Sequence, residues 1–249
     1  MGRTLAIGDI HGGLKALQEV LTKSKYNSKK DNLIFLGDYV DGWSESAEVV
    51  EFIIGLKEKI KFEMRHPESI VCIEGNHDQW AKEFLNFGTI PEGWLINGGK
   101  STLSSYEKFW ELNGKDQKSL DSHRDFYNNL FPYYVTNKDK VFVHAGCNLE
   151  DGPAATLHYL RVWDRTMWAK VLSGAKYKAN KELYIGHTTT LVNTCKPHLP
   201  EAKLQEIGKP ITVPMNRQNV WNLDTGGGWS GKLTIQDVYT KEFWQSDFV

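Results

Sequence analysis

Five short turns in the sequence carry side chains of the kinds that bind metal ions, and each turn follows a short apolar run. The turns read GDIHG, GDYVDG, GNHD, HAG and GHT, and their candidate ligands are Asp9, His11, Asp38, Asn76, His144 and His187. This mixture of oxygen and nitrogen ligands suits Mn, Fe or Zn better than Ca²⁺, which prefers oxygen ligands alone. Because no cysteine belongs to the set, a structural zinc site is disfavoured.

The spacing of these residues predicts two neighbouring ion sites. Asp9 and His11 are two positions apart, so on a strand both side chains lie on one face and can bind one ion. Asp38 follows the next predicted strand and is suited to bridge two ions through its two oxygens. The second site is completed by Asn76, His144 and His187. We therefore expect two divalent metal ions as cofactors, manganese first, with iron or zinc as alternatives.

The apolar runs before the turns predict the elements that position these ligands. They are short and rich in β-branched or aromatic residues, which is typical of buried strands. The strands are predicted at 4–7, 32–36, 70–73, 140–143 and 183–185. Helical spacing of apolar residues at 14–21 and 47–54 indicates βαβ units with right-handed crossovers. In such sheets ligands bind at the carboxyl ends of the strands, where all six candidates lie.

The middle and the end of the chain have different patterns. Residues 79–130 are rich in Trp and Tyr and mostly helical in pattern, and we interpret them as a helical insertion packed on the sheet. Residues 219–238 alternate in hydropathy and predict two strands around 224–231, forming an antiparallel hairpin that closes a second sheet. No repeat or linker interrupts the chain, so we predict a single domain over residues 1–249.

Composition excludes several classes of function. The formal net charge is −1, so no nucleic-acid partner is expected. No apolar run has the length of a membrane span and no leader is visible, so we expect a cytoplasmic protein without a membrane partner. Cys72, Cys147 and Cys195 are far apart, which fits a reducing compartment and small buried hydrophobic side chains rather than disulfides.

Each motif alone also has a structural explanation. An Asp-x-His pair can cap the helix predicted after it, and a buried histidine is more often a hydrogen-bonded core residue than a ligand. Five such motifs in succession, each closing a predicted strand, favour one joint metal site. The remaining histidines lack this context, and we interpret them as surface or loop residues: His66, His123, His158 and His198.

The five motifs, in this order and spacing, resemble those of the calcineurin-like metallophosphoesterases. More narrowly they are similar to the phosphoprotein phosphatase family, in its small bacterial and phage-lambda-type branch. Three further stretches agree with that branch: WLINGG at 94–99, VWDR at 162–165 and DTGGGWSGKLTIQ at 224–236. The resemblance covers nearly the whole chain and implies an α/β (α+β) fold, a β-sandwich flanked by helices.

The resemblance also implies roles for individual residues. It divides the six ligands between two ions as the spacing does, with Asp38 bridging. It makes His77 the general acid, Asp41 the carboxylate that orients it, and Arg165 a phosphate-binding residue, while Asn76 adds a hydrogen bond to the substrate. The structural alternatives are a helix cap for His77, a turn position for Asp41 and a surface ion pair for Arg165.

One position departs from the family pattern. Where the family reads GDYVDRG, this chain has Gly42 followed by Trp43, so one of two guanidinium groups expected to clamp the substrate phosphate is missing. Lys100, Arg124 and Arg161 are candidate replacements.

The predicted reaction is hydrolysis of a phosphoester by water that the two ions activate. The leading prediction is a serine/threonine protein phosphatase, acting on a phosphorylated protein or a small phosphoester. The alternative is a diadenosine polyphosphate hydrolase, because related bacterial enzymes share these motifs and a Trp-rich segment can stack on a base. A non-catalytic scaffold would have lost ligands, whereas this chain retains all six.

Overall fold

Two mixed five-stranded β-sheets form the centre of the protein in a computed structural model, which describes residues 2–114, 116–136, 139–179, 181–191 and 211–247. The first sheet consists of β1 (Thr4–Ile7), β2 (Asn32–Phe35), β3 (Ile70–Cys72), β9 (Thr234–Asp237) and β10 (Phe243–Gln245). Its strand order is β10-β9-β1-β2-β3. Strands β1, β2 and β3 are parallel, and β9 is antiparallel to both of its neighbours.

The second sheet has the same mixed character. It consists of β4 (Tyr134–Val135), β5 (Lys140–Phe142), β6 (Glu182–Ile185), β7 (Met215–Arg217) and β8 (Val220–Asn222). Its order is β4-β5-β6-β8-β7, with three parallel central strands and antiparallel strands at both edges. Each sheet therefore has an edge at which the carboxyl ends of several parallel strands meet.

Seven α-helices lie in the part of the chain that the structure describes. They are α1 (Leu14–Lys23), α2 (Ser46–Phe62), α3 (Asn76–Phe87), α4 (Gly99–Leu112), α5 (Gln117–Asn128), α6 (His158–Trp163) and α7 (Thr166–Leu172). Helices α1 and α2 connect the parallel strands of the first sheet, and α3 to α5 occupy the segment where the sequence predicts helices. No described helix combines the length and apolarity that crossing a bilayer requires.

Three apolar layers hold the sheets and helices together. The layer between the sheets contains Ala6, Ile34 and Val71 from the first sheet and Phe142 and Tyr184 from the second, whose rings stack at 5.0 Å. Alternate residues of the strands face outward into clusters with the helices. Because both faces are covered, the central strands are apolar at consecutive positions. The predicted sandwich flanked by helices is confirmed.

The predicted hairpin over residues 219–238 is wrong. Strand β8 belongs to the second sheet and β9 to the first, so the segment between them crosses from one sheet to the other. The antiparallel partner of β8 is β7, and that of β9 within the C-terminal segment is β10. Alternating hydropathy indicates strands, but it does not identify their partners when two sheets are available.

The structure agrees with the prediction for two of the cysteines and contradicts the prediction for His123. Cys72 and Cys147 are buried free thiols, as expected, whereas Cys195 and His198 lie outside the described residues. The prediction for His123 is wrong, because this residue is fully buried in α5. It looks polar in sequence, but its ring is enclosed by aromatic neighbours of the helical layer.

Candidate metal centre

The six candidate ligands lie together at the edge where the parallel strands of both sheets end. Asp9 and His11 follow β1, Asp38 follows β2, Asn76 follows β3, His144 follows β5, and His187 follows β6. All six residues are buried. Parallel strands bring their carboxyl ends to one edge, and the packing of the two sheets brings the two edges together.

The backbone of these turns, rather than strand alternation, aims the ligands. Strand β1 ends at Ile7, so the prediction that Asp9 and His11 share a strand face is wrong. His11, Asp38 and His187 have positive φ angles of 48°, 54° and 66°. Such conformations are uncommon and costly for residues other than glycine, and they concentrate at functional sites. The turns therefore hold strained conformations at three candidate ligands.

Two triads of ligating atoms share Asp38. The atoms of Asp38, His144 and His187 lie within 4.8 Å of one another, and so do those of His11, Asp38 and His77. His144 Nε2 is 3.3 Å from Asp38 Oδ2, and His11 Nε2 is 3.7 Å from the same oxygen. This arrangement is the one expected of a carboxylate between two ion sites. His77 stands in the second triad although the sequence does not predict it as a ligand.

Asn76 and Asp9 complete the cluster from opposite sides. Asn76 Oδ1 is 3.1 Å from His144 Nε2 and 2.8 Å from His187 Nδ1. Because this oxygen faces the imidazoles, the amide NH₂ of Asn76 points away from them and can donate elsewhere. Asp9 lies outside both triads, and its Oδ2 accepts a hydrogen bond of 2.8 Å from the backbone N–H of His187.

Backbone carbonyls orient two of the imidazoles for metal binding. His11 Nδ1 lies 2.9 Å from Val40 O, and His144 Nδ1 lies 2.8 Å from Leu36 O. A carbonyl only accepts, so each Nδ1 carries a proton and donates it there, which leaves each Nε2 facing Asp38 as the nitrogen that would bind a metal once deprotonated. Fixing the tautomer through the far nitrogen is the usual support for a histidine that binds a metal.

Unpartnered polar atoms show that the cluster fits cations. Asp9 Oδ1 and His187 Nε2 are buried and make no hydrogen bond within the described residues. In the same part of the chain, neither Asp9 nor Asp38 has an ion pair with lysine or arginine. Buried carboxylates without a cation are costly, and divalent ions satisfy them. At Gly186 a Cβ would lie 2.0 Å from Asp9 Oδ1, so the cradle also excludes a side chain there.

The pKa values of the two aspartates in the cluster are shifted in opposite directions. Burial, together with the charge of Asp224, raises the pKa of Asp9 well above its ordinary value. Burial also disfavours ionisation of Asp38, but the imidazoles of His144 and His77 outweigh it and hold the pKa of Asp38 well below its usual range. Burial lowers the pKa of His187 to about 2, so this imidazole is neutral and able to act as a ligand.

His77 and the buried Asp41 form a hydrogen-bonded pair beside the ligands. His77 Nδ1 is 2.8 Å from Asp41 Oδ2, which also accepts a hydrogen bond of 2.7 Å from Trp94 Nε1. Thr102 donates to the other oxygen of Asp41. Burial opposes protonation of His77, but the carboxylates of Asp38 and Asp41 outweigh it and raise its pKa. A protonated imidazole held in this way is suited to donate a proton from Nε2.

Arg165 is exposed and anchored to a candidate ligand. Its guanidinium donates hydrogen bonds to His187 O at 3.0 Å and to Thr188 Oγ1 at 3.3 Å. Asp164, the acid next to it in the sequence, accepts hydrogen bonds instead from the backbone N–H groups of Thr166 and Met167 at the start of α7. The structure therefore places the charge of Arg165 at the rim of the cluster.

The backbone at Gly42 leaves no room for the missing arginine. Gly42 has a φ of +146°, and a Cβ there would lie 2.9 Å from His11 O and 3.1 Å from Gly228 O. Its N–H donates to Ser101 Oγ at 3.1 Å. A side chain at this position would be strained and would displace the loop that carries Gly228, so the departure from the family pattern is built into the packing.

Two buried carboxylates of the site are absent from the sequence predictions. Asp78 accepts hydrogen bonds from the backbone N–H groups of Asp38, Tyr39 and Gly75, and burial and the charge of Asp38 raise its pKa to about 7. Asp224 follows β8 and is buried beside Asp9. Both end or begin motifs quoted above, GNHD and DTGGGW, so their position after a strand was an available signal.

The fold and the site together define a class: an αββα sandwich with a buried carboxylate–histidine cluster at the shared edge of its sheets. A family described as calcineurin-like phosphoesterase matches residues 2–191, and the chain belongs to this family. Its members are dinuclear metal-dependent phosphoesterases.

Known proteins similar to this chain include enzymes of more than one activity. A symmetrical bis(5'-nucleosyl)-tetraphosphatase from Buchnera aphidicola subsp. Schizaphis graminum is 23% identical over an alignment of 289 positions, which covers 97% of this chain and 96% of that protein. The solved structure of a candidate diadenosine tetraphosphatase has a TM-score of 0.62 at 14% identity, covering 98% and 92%. That of a serine/threonine phosphatase from Saccharomyces cerevisiae has a TM-score of 0.59 at 12% identity, covering 100% and 80%. The two structures show the shared fold.

Proposed function

We propose that the protein hydrolyses a phosphoanhydride bond within a dinucleoside polyphosphate. The observation that carries this proposal is the closed position of Gly42, which removes one guanidinium from the phosphate site. A terminal phosphomonoester carries more negative charge than an internal phosphate of a polyphosphate chain, so the internal phosphate needs fewer cationic contacts. The curated relative aligned over nearly the full chain carries the name of this activity. The alternative prediction from the sequence is therefore preferred over the leading one.

In this proposal the chain's residues position the substrate and move one proton. Asp9, His11, Asp38, His144, His187 and the Asn76 carbonyl would hold two divalent ions. When bound, these ions would supply Lewis-acid stabilisation of the phosphoryl oxygens and activate water. Arg165, anchored on His187 O, stabilises charge on the non-bridging oxygens, and the Asn76 amide donates a further hydrogen bond. His77 donates its proton to the leaving oxygen, while Asp41 keeps the imidazole oriented.

A second candidate, phosphoserine or phosphothreonine hydrolysis, is favoured by one specific observation. The His77–Asp41 pair is complete and buried, with Trp94 and Thr102 fixing the carboxylate. A seryl or threonyl alkoxide is a poor leaving group and needs a proton, whereas the phosphate released from an anhydride leaves readily without one. The proposed anhydride reaction uses this pair less than a phosphomonoesterase would.

The test is a substrate panel with added Mn²⁺, comparing diadenosine tetraphosphate with phosphoserine and phosphothreonine peptides by kcat/KM. We expect a preference of at least about tenfold for the dinucleotide, which corresponds to 1.4 kcal/mol of transition-state binding, and ADP as the sole nucleotide product. A preference for the peptides would reject the proposal in favour of the second candidate. Production of AMP and ATP would reject symmetrical cleavage.

A further inference from the structure

Five aromatic rings form a row across the candidate metal centre. Successive ring centroids are 6.0 Å apart from Trp229 to His11, 4.9 Å from His11 to His77, 5.1 Å from His77 to Trp80, and 5.1 Å from Trp80 to Trp163. The two histidines in the middle belong to one triad with Asp38. In this row the two histidines of the triad stand in the middle and a tryptophan stands at each end.

Trp229 is held at one end of the row by the loop that closes the position of the missing arginine. Gly228 packs on the His11 ring, where a Cβ would lie 2.3 Å from His11 Cδ2. Trp43 donates a hydrogen bond of 2.8 Å from Nε1 to Gly227 O, which ties the same loop down. Even so, 54% of Trp229 remains exposed. An indole left in water beside a candidate ligand lacks the stabilising free energy that burial in the core would give it.

The other end of the row has two tryptophans in edge-to-face contact. Trp163 donates a hydrogen bond of 3.0 Å from Nε1 to Gln79 Oε1, which fixes the orientation of its indole. Both Trp80 and Trp163 are only partly buried. Gln79 and Trp80 lie two and three positions after His77 on α3, so one helix connects this end of the row to the site.

Of the tryptophans in the middle segment, Trp80 belongs to this row, whereas Trp94 and Trp110 pack within the helical layer. Trp94 is fully buried and donates its N–H to Asp41. Trp110 packs against the core of the first sheet between Tyr106 and Phe84. Trp94 therefore offers no face to a ligand, and the ring contacts of Trp110 are with Tyr106 and Phe84 rather than with the candidate ligands.

We infer that Trp229 and the Trp80–Trp163 pair are two stacking subsites for nucleobases, one at each end of the row. This inference rests on the proposed function. A dinucleoside polyphosphate has a base at each end and phosphates between them, which matches aromatic rings on both flanks of a metal cluster. Stacking on an indole accepts any base, because every base has a π-face. Binding both bases at once would centre the polyphosphate chain on the cluster and so direct cleavage to its middle.

The experiment separates nucleoside binding from phosphate binding. Trp229→Ala, Trp163→Ala and Trp229→Phe are compared with wild type in Mn²⁺, using diadenosine tetraphosphate and p-nitrophenyl phosphate as substrates. ADP and inorganic pyrophosphate serve as competing inhibitors that differ only in the nucleoside. The matched control is Phe62→Ala, since Phe62 is 89% exposed at the far end of α2, where the chain returns to the opposite edge of the sheet.

For each alanine variant we expect KM for the dinucleotide and the inhibition constant of ADP to rise roughly 10- to 100-fold, the range measured for loss of one base-stacking contact. The values for p-nitrophenyl phosphate and pyrophosphate should stay within about twofold, Trp229→Phe should recover most of the loss, and Phe62→Ala should match wild type. Equal losses on all four compounds would overturn the subsites and leave the proposed function standing. If wild type fails to cleave the dinucleotide, the proposed function fails. A nucleoside subsite is then still supported if Trp229→Ala weakens inhibition by ADP but not by pyrophosphate. If Trp229→Ala affects both inhibitors equally, the nucleoside subsite is overturned as well.

Discussion

Two regions of the molecule bury histidine beside carboxylate, and they do so with opposite results. In the helical layer, His123 is fully buried, with its Nε2 3.0 Å from Glu51 Oε2 and its Nδ1 3.0 Å from Tyr106 Oη. Because the carboxylate accepts from Nε2, Nδ1 accepts from the tyrosine hydroxyl, and both ring nitrogens are satisfied. At the sheet edge, Asp9 Oδ1 and His187 Nε2 are equally buried but unpartnered within the described residues.

The difference teaches how to separate a structural polar cluster from a ligand site. Buried polar atoms are normally paired, so an unpaired one calls for an explanation. The His123 cluster is closed by the chain's own groups, and its function is complete once the helices pack. The sheet-edge cluster concentrates three imidazoles around Asp38 and leaves Asp9 Oδ1 and His187 Nε2 without partners among the described residues, and bound cations would satisfy both atoms. Four predictions test this contrast, in order of decreasing effect.

The largest effect is expected from Asp38→Asn, which removes the charge of the carboxylate shared by both triads. We expect kcat/KM to fall roughly 10³-fold, because the several kcal/mol supplied by bound metal ions are lost. Elemental analysis should show a lower metal content. The matched control is Glu51→Gln, which alters the carboxylate that contacts His123 and should leave activity within about twofold. If Asp38→Asn kept full metal content and normal turnover, the sheet-edge cluster would be a structural polar cluster like that of His123.

His77→Ala is expected to produce a loss that depends on the leaving group. With phenyl phosphate, kcat should fall about 10²-fold, at the low end of the range for removal of a general acid. With p-nitrophenyl phosphate the fall should be much smaller, because nitrophenolate leaves without a proton. Metal content should be unchanged. Equal losses on both substrates together with lost metal would instead assign His77 to the triad with His11 and Asp38 as a ligand.

Arg165→Ala tests whether the rim of the cluster binds phosphate. A hydrogen bond from a charged group contributes about 1.5–3 kcal/mol, so we expect KM to rise roughly 10- to 100-fold while kcat changes less. Arg165→Lys retains the charge without the forked geometry, so its KM should lie between the KM values of wild type and Arg165→Ala. An unchanged KM would restrict Arg165 to its contacts with His187 O and Thr188.

The smallest effect is expected from His123→Gln, which probes the closed cluster. Burial lowers the pKa of His123 from its ordinary value of 6.5, although Glu51 opposes the shift. Below pH 6.5 the unfolded chain therefore binds more protons than the folded one, so stability from this site is present at neutral pH and is lost as pH falls. We expect wild type to lose more stability than the variant between neutral and acidic pH.

The measurement is the free energy of unfolding by urea, compared between wild type and His123→Gln at each pH so that changes at the metal cluster cancel. Turnover at neutral pH should match wild type. A parallel pH dependence of the two proteins, or a large loss of activity in the variant, would remove the distinction between the two histidine clusters.

Much of the site was predictable because its ligands stand after strands that the sequence marks clearly. Apolar runs covered on both faces are continuous, so the ends of β1, β2, β3, β5 and β6 were evident as the last residues before each glycine turn. Asp78 escaped prediction because its role is to accept from backbone N–H groups of a different turn, a contact between segments 40 positions apart. The hairpin at 219–238 failed for a related reason, since hydropathy does not name a strand's partner.

The sequence by itself determined the family, the order of the five turns and the chemical types of their ligands, since these depend on residue identity and local spacing. Only the tertiary structure decided that Asp38 lies between two triads, that His123 is buried and satisfied, and that Gly42 leaves no room for an arginine. It also decided which tryptophans are core and which face the site. These properties arise where two sheets and a helical layer meet, and contacts between distant segments leave no periodic signal in the chain.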